Sequence, residues 1–138
     1  MAQRYGIGFI GLGSIGQRML VPAEQHQRVK PTMAWDPQAD RLSQTVANTP
    51  GLRAAKDVNH LITDSAVDIV YIASPPLTHA EHANAALAAG KPVLCEKPLG
   101  IDIATSEALA VRATNSGIPH AVNFIYGSAY PAEQMAEA

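Results

Sequence analysis

Apolar residues along the chain fall into short continuous runs separated by longer stretches of helical spacing. Residues 4–10, "RYGIGFI", read as a short buried strand, and Ser14 to Gln27 as the helix that follows it. "VKPTMAWD" (29–36) gives a second strand, after which Asp36 and Pro37 read as cap and first residue of the helix "PQADRLSQTVAN". A short extended piece, "LRAA" (52–55), precedes Asp57, a suitable N-cap for "VNHLITDS". "VDIVYIAS" (67–74) is apolar with almost no alternation, the pattern of a parallel strand covered on both faces. Pro75 and Pro76 stop that run, "LTHAEHANAALAAG" forms an alanine-rich helix closed by Gly90, and "PVLCE" (92–96) returns as a strand. "DIATSEALAVRATNSG" is a further helix, with Asp102 at its start and Gly117 past its end, before "PHAVNFIY" (119–126) as the last strand.

Strands alternating with helices of ten or more residues predict βαβ units, hence an α/β fold with a doubly wound, mostly parallel sheet. No internal repeat and no low-complexity segment interrupts the alternation. The last residues, "SAYPAEQMAEA", read as the opening of another helix, with Ser128 as cap and Pro131 in its first turn. No stop signal follows, so the expected organisation is one α/β domain over 1–126 and, over 127–138, the start of a connection to a second domain.

Composition narrows the setting. With 138 residues and 47% hydrophobic content the chain has the size of one globular domain. A net charge of -2 without a dense Lys/Arg cluster argues against nucleic acid as a partner. The lone Cys95 excludes an intrachain disulfide framework and makes the cytoplasm the expected compartment. "MAQRYGIGFIGLG" has neither the order of a secretory signal nor the length of a membrane span.

"GFIGLGSIGQ" (8–17) carries glycines at Gly11, Gly13 and Gly16, a G-x-G-x-x-G pattern between a predicted strand and a predicted helix. In that setting Gly11 permits the tight turn, Gly13 lets the backbone approach a pyrophosphate, and Gly16 lets helix and strand pack closely. The helix start, Ser14 and Ile15, offers unpaired N–H groups and the positive end of the helix dipole. Asp36 lies 20 residues beyond Gly16 at the end of the second strand, where an acid accepts ribose hydroxyls. Like-charge repulsion by Asp36 favours NAD over NADP, while Arg41, five residues on, keeps NADP open if its helix angles it inward. The plainer alternatives are a simple βα turn, a helix cap and a solvated arginine.

Two further segments sit at carboxyl ends of strands. "SPPLTHAEH" (74–82) places a rigid double proline where ligands of doubly wound sheets bind; His79 and His82 lack the additional ligands a metal would require. "CEKPLG" (95–100) sets Glu96 and Lys97 together before a proline. Lys97 could donate to a substrate hydroxyl or to the nicotinamide ribose, and Glu96 could bind the same sugar; a surface ion pair is the alternative. Cys95 reads as a buried strand residue without a nucleophile partner.

Taken in order, "GLGSIG", "WDP", "SPPLTHAEHA", "GKPVLCEKPLG" and "AVNF" resemble the glucose-fructose oxidoreductase / inositol dehydrogenase / MocA (Gfo/Idh/MocA) family over nearly the whole chain. The resemblance implies an NAD(P)-dependent oxidoreductase acting on a sugar, polyol or related alcohol. It implies that Lys97 contacts substrate and nicotinamide ribose as the catalytic lysine and that Glu96 binds the ribose. It further assigns Ser74, Pro75, Pro76, Leu77 and His79 to the cofactor wall and places Asn123 near the nicotinamide. Two departures stand out: "NFIYGSAY" lacks the arginine usual after the Asn, and the second, substrate-carrying α/β domain of the family has no counterpart in these 138 residues. The expectation is therefore a cofactor-binding domain that turns over little by itself. The alternative is a non-catalytic NAD(P) sensor, and homo-oligomerisation is left open.

Overall fold

The computed structural model describes residues 4–124. Six parallel strands, β1 (Tyr5–Ile10), β2 (Val29–Trp35), β3 (Arg53–Ala54), β4 (Ile69–Ile72), β5 (Val93–Glu96) and β6 (His120–Asn123), form one sheet in the order β3-β2-β1-β4-β5-β6. Five helices connect them: α1 (Ser14–Gln25), α2 (Ala39–Asn48), α3 (Val58–Thr63), α4 (Pro76–Ala88) and α5 (Ile103–Ser116). This is the Rossmann order, in which the chain reverses direction of travel between β1 and β4 and leaves a crevice at their carboxyl ends.

Strand alternation builds two cores. Val70 and Ile72 of β4 join Leu61 and Ile62 of α3, Ala83 and Leu87 of α4 and Leu109 of α5 on one face. Tyr71, between them in sequence, turns to the opposite face with Ile7, Phe9, Leu20 and Ala23, where Leu42 and Val46 of α2 also pack. Helices therefore cover both faces, which is why β4 shows almost no polar alternation.

Several expected boundaries move for local reasons. α1 ends at Gln25 because His26 is extended. Asp36 does not cap α2: that helix begins at Ala39 after Gln38, and the Asp36 carboxylate serves other donors. Pro76 does not stop a strand but is the first residue of α4, a position where its missing N–H has no partner to lose. Asp57 and Asp102 cap as expected, accepting from the N–H groups of His60 and Thr105, and Gly117 ends α5 at φ 67°. The expected end of the last strand at 125–126 and the helix beginning near Ser128 lie outside the described residues.

Two glycines fix how closely the first βα turn seats. Gly11 has φ +93°, and a Cβ there would lie 2.5 Å from the Ser74 nitrogen. A Cβ on Gly16 would run into the carbonyl oxygen of Gly11. Replacing Gly16 with Ala is expected to cost about 1–3 kcal/mol through overpacking against backbone, seen as a lower urea midpoint with an unchanged far-UV spectrum.

Candidate functional site

A crevice of about 580 Å³ opens at the β1/β4 reversal, lined by Gly11, Gly13, Ser14, Ile15, Trp35, Asp36, Pro37, Gln38, Arg41, Ala73, Ser74, Pro75, Thr78 and His82. Its volume lies within the ordinary range of small-molecule pockets, roughly 300–1,000 Å³. α1 has no side-chain cap at Gly13, so the N–H groups of its first turn face the crevice without a side-chain acceptor. A Cβ on Gly13 would meet nothing within 4 Å, so the glycine leaves open space above the helix start. That space, next to an uncapped helix N-terminus, fits a phosphate group.

Asp36 forms the far end of this crevice and is 5% exposed. Its Oδ2 accepts from the Leu12 N–H at 2.8 Å and its Oδ1 from the Gln38 N–H at 2.8 Å. Arg41 turns inward and donates to Oδ1 at 3.3 Å and Oδ2 at 3.2 Å. A carboxylate offers about four acceptor positions, so with Leu12 and Gln38 on two of them Arg41 takes up the remaining two. Trp35 and His82 meet edge to face in the same crevice, ring centroids 6.2 Å apart. Burial pushes the His82 pKa down, against an opposing pull from Glu81 and with help from His79, which leaves a neutral ring at neutral pH.

A second, smaller crevice of about 340 Å³ adjoins the first at Ile15 and is lined by Ile15, Arg18, Met19, Pro22, Tyr71, Glu96 and Asn123. Glu96, 5% exposed, accepts at Oε1 from the Tyr71 hydroxyl at 2.7 Å and from the Asn123 amide at 2.6 Å. Among the described residues Glu96 Oε2 accepts no hydrogen bond, leaving an acceptor for a ligand. Burial first, and then the hydrogen bond to Glu96, raises the Tyr71 pKa well above the usual phenol range. Burial likewise pushes the Cys95 thiol up to about 12, the property of an inert core cysteine.

The residues singled out in the sequence divide into three groups. Gly11, Gly13, Ser14, Ile15, Asp36, Arg41, Ser74 and Pro75 gather on the first crevice, and Glu96 and Asn123 on the second. Gly16 acts in packing, behind the crevice. Pro76 and Leu77 line neither crevice; Leu77 points to solvent. His79 is 1% exposed and lies behind the Ser74–Pro75 wall, not on it. Lys97 stands exposed at the end of β5 beside Glu96 without pairing to it. Sequence reasoning missed Thr78, His82 and Gln38 on one side and Tyr71 and Arg18 on the other. Tyr71 had a readable signal: a phenol in a doubly covered strand must find a hydrogen-bond partner, and the carboxylate closing a neighbouring strand was available. Among the described residues no three His, Cys, Asp or Glu side chains gather as a metal site, and no helix is long and apolar enough to cross a membrane.

This fold and crevice define an NAD-binding Rossmann domain, and the chain belongs to the Gfo/Idh/MocA oxidoreductase family, whose model, described as "Oxidoreductase family, NAD-binding Rossmann fold", matches residues 5–124. An inositol 2-dehydrogenase of Mycolicibacterium gilvum is 41% identical over 80 residues, 58% of this chain and 23% of that enzyme. A 1-carboxy-3-chloro-3,4-dihydroxycyclohexa-1,5-diene dehydrogenase of Comamonas testosteroni is 37% identical over 110 residues, 78% of this chain and 28% of that enzyme. Among solved structures, KijD10, a 3-ketoreductase from Actinomadura kijaniata in complex with TDP-benzene and NADP, superimposes with a TM-score of 0.87 at 29% identity, covering 98% of this chain and 43% of that one. The chain thus spans less than half the length of each.

The buried phenol yields a pH test. A raised folded-state pKa contributes stability that is complete below the unfolded value of about 10 and is lost as pH rises above it. The urea midpoint is expected to fall progressively as pH rises above about 10, and to fall less in Tyr71→Phe than in the unsubstituted chain. Equal losses in both would remove Tyr71 from that transition.

Proposed function

We propose that residues 1–126 are the cofactor-binding half of an NAD(P)-dependent dehydrogenase acting on a polyol or related alcohol, with 127–138 beginning the connection to a substrate domain. The observation that carries this reading is the continuity of the two crevices through Ile15, with a buried carboxylate at each far end and an uncapped helix start between them. The names of the relatives support the substrate class: inositol and a dihydroxylated ring acid carry secondary alcohols, and a 3-ketoreductase acts on the corresponding ketone. Their greater length supports a second domain.

In this reading Asp36 takes the adenosine ribose diol once Arg41 swings aside, and the first-turn N–H groups of α1 hold the pyrophosphate between Gly13 and Ile15. Trp35, Thr78 and His82 flank the adenine. Glu96, held by Tyr71 and Asn123, accepts from the second ribose through Oε2. Bound nicotinamide supplies the hydride acceptor. Lys97, exposed next to Glu96, donates to the oxygen of the alcohol being oxidised and so assists transfer of its hydroxyl proton to a residue of the substrate domain, with the reverse path in reduction. Water has to be excluded from that step, which a lone open sheet does not achieve.

Titration of the 138-residue chain with NAD, followed by calorimetry, is expected to give saturable binding that Asp36→Ala weakens about 10- to 100-fold, the worth of a charged hydrogen-bonding site. Turnover of the chain with NAD and a polyol panel is expected to be negligible. In the full-length parent, Lys97→Met is expected to abolish turnover while NAD affinity stays; unchanged turnover would remove Lys97 from the chemistry, and NAD binding without turnover in the unsubstituted parent would favour a sensor over an enzyme. Arg41 decides cofactor preference: Arg41→Ala is expected to weaken NADP about tenfold and leave NAD equal or tighter, because its guanidinium leaves Asp36 free for ribose and no longer meets a 2′-phosphate.

A further inference from the structure

His79 lies in the first turn of α4 with both ring nitrogens engaged. Its Nε2 is 2.7 Å from the carbonyl oxygen of Ser74, and its Nδ1 is 2.7 Å from the carbonyl oxygen of Pro98. A carbonyl oxygen only accepts, and a neutral imidazole carries one N–H. A neutral ring would therefore hold one bare nitrogen lone pair against an oxygen lone pair at 2.7 Å. Two N–H groups donating at that distance match charge-assisted hydrogen bonds, about 2.7–2.9 Å.

We infer that His79 is a positioning residue that works as a buried imidazolium, clamping the Ser74–Pro75 turn to the Lys97–Pro98 turn. The first turn is wall of the crevice that ends at Asp36; the second follows Glu96 and carries Lys97. α4 and β5 have no other side-chain hydrogen bond linking these turns among the described residues, so the ring sets the spacing between the cofactor wall and the lysine. The two carbonyl dipoles offset the charge. On its own helix the titratable groups are Glu81 and the neutral His82; of the elements packed against α4, β5 and its turn carry Cys95, Glu96 and Lys97, β4 carries Tyr71, α3 carries His60, and α5 carries Glu107 and Arg112. His79 touches neither crevice, so it acts through the backbone of the two turns and not on the ligand.

The role assigned to the two turns rests on the proposed function; the charge state of the ring does not. Uniformly ¹⁵N-histidine-labelled chain, free of ligand, is examined by long-range ¹H–¹⁵N correlation at neutral pH, the His79 signals being those absent from His79→Gln. Two protonated ring nitrogens with slowly exchanging protons are expected, distinguishing His79 from the other four histidines. One protonated and one bare nitrogen would overturn the imidazolium. NAD binding then tests the clamp: His79→Gln, which can donate to only one of the two carbonyls, is expected to bind NAD about tenfold more weakly with an unchanged far-UV spectrum. A folded variant with unaltered affinity refutes the positioning role. If the variant does not fold, the labelled native chain decides by its ring nitrogens, with the His79 signals assigned through the neighbouring helix residues. Absence of NAD binding by the native chain refutes the proposed function and leaves the ring-nitrogen result standing.

Discussion

The buried hydrogen bond from the Leu12 N–H to Asp36, 2.8 Å long, joins the two features on which the site depends. Leu12 lies inside the glycine turn, and Asp36 closes the adjacent strand β2. Without that acceptor the N–H of Leu12 would be buried and unpaired, since the turn has left the sheet ladder by this point; such a group costs roughly 1–3 kcal/mol. The bond therefore orients the carboxylate while it stabilises the turn. One residue holds the glycine loop in the shape that admits a phosphate and presents an acid a few ångströms away. The neighbouring Gly11 N–H, bonded to the Trp35 carbonyl at 2.9 Å, extends the same seam between β1 and β2.

This double duty explains the behaviour expected of Arg41. Two of the acceptor positions of Asp36 belong to the fold, through Leu12 and Gln38, and cannot be given up without loosening the turn. Only the two positions facing Arg41 are exchangeable, and those contacts are the longest the carboxylate makes, 3.2 and 3.3 Å. The guanidinium is over a third exposed, so solvent screens the pair and little is lost when it opens. In the proposed complex a diol replacing Arg41 would meet a carboxylate already aimed, and the displaced cation would stay within reach of whatever the ribose carries.

The architecture was legible because each βα unit carries its own local signals: apolar runs for doubly covered strands, Asp57 and Asp102 as caps, Gly117 as a stop. The glycine pattern and Asp36 were legible because their chemistry depends on spacing along one strand–turn–helix unit. What depended on contacts between distant elements was not. Asp36 reads locally as a cap for the helix beside it, and only the packing of β2 against the glycine turn diverts its carboxylate to Leu12. His79 and Thr78 are adjacent in sequence, yet one is sealed behind the wall and the other lines it, because the helix rotates neighbours by about 100°. Tyr71 and Glu96 are 25 residues apart and meet only because β4 and β5 pair in register.

Asp36 and Glu96 are built alike, and that likeness favours a dinucleotide over a single nucleotide. Each ends a strand, each is 5% exposed, and each spends part of its acceptor capacity on scaffold donors: two backbone N–H groups for Asp36, the Tyr71 hydroxyl and Asn123 amide for Glu96. A buried carboxylate without such donors would be costly or would take up a proton. With them, each acid stays available as an acceptor facing a crevice. Between the two lies the start of α1, which carries the opposite polarity because its N–H groups have no cap. Read across the carboxyl edge of the sheet, the order is acceptor, donor, acceptor. A mononucleotide satisfies one acceptor and the donors, and leaves the other buried acid without a ligand. A molecule with a hydroxylated sugar at each end and a pyrophosphate in the middle satisfies all three, and its two negative charges fall where the helix dipole is positive and away from both acids.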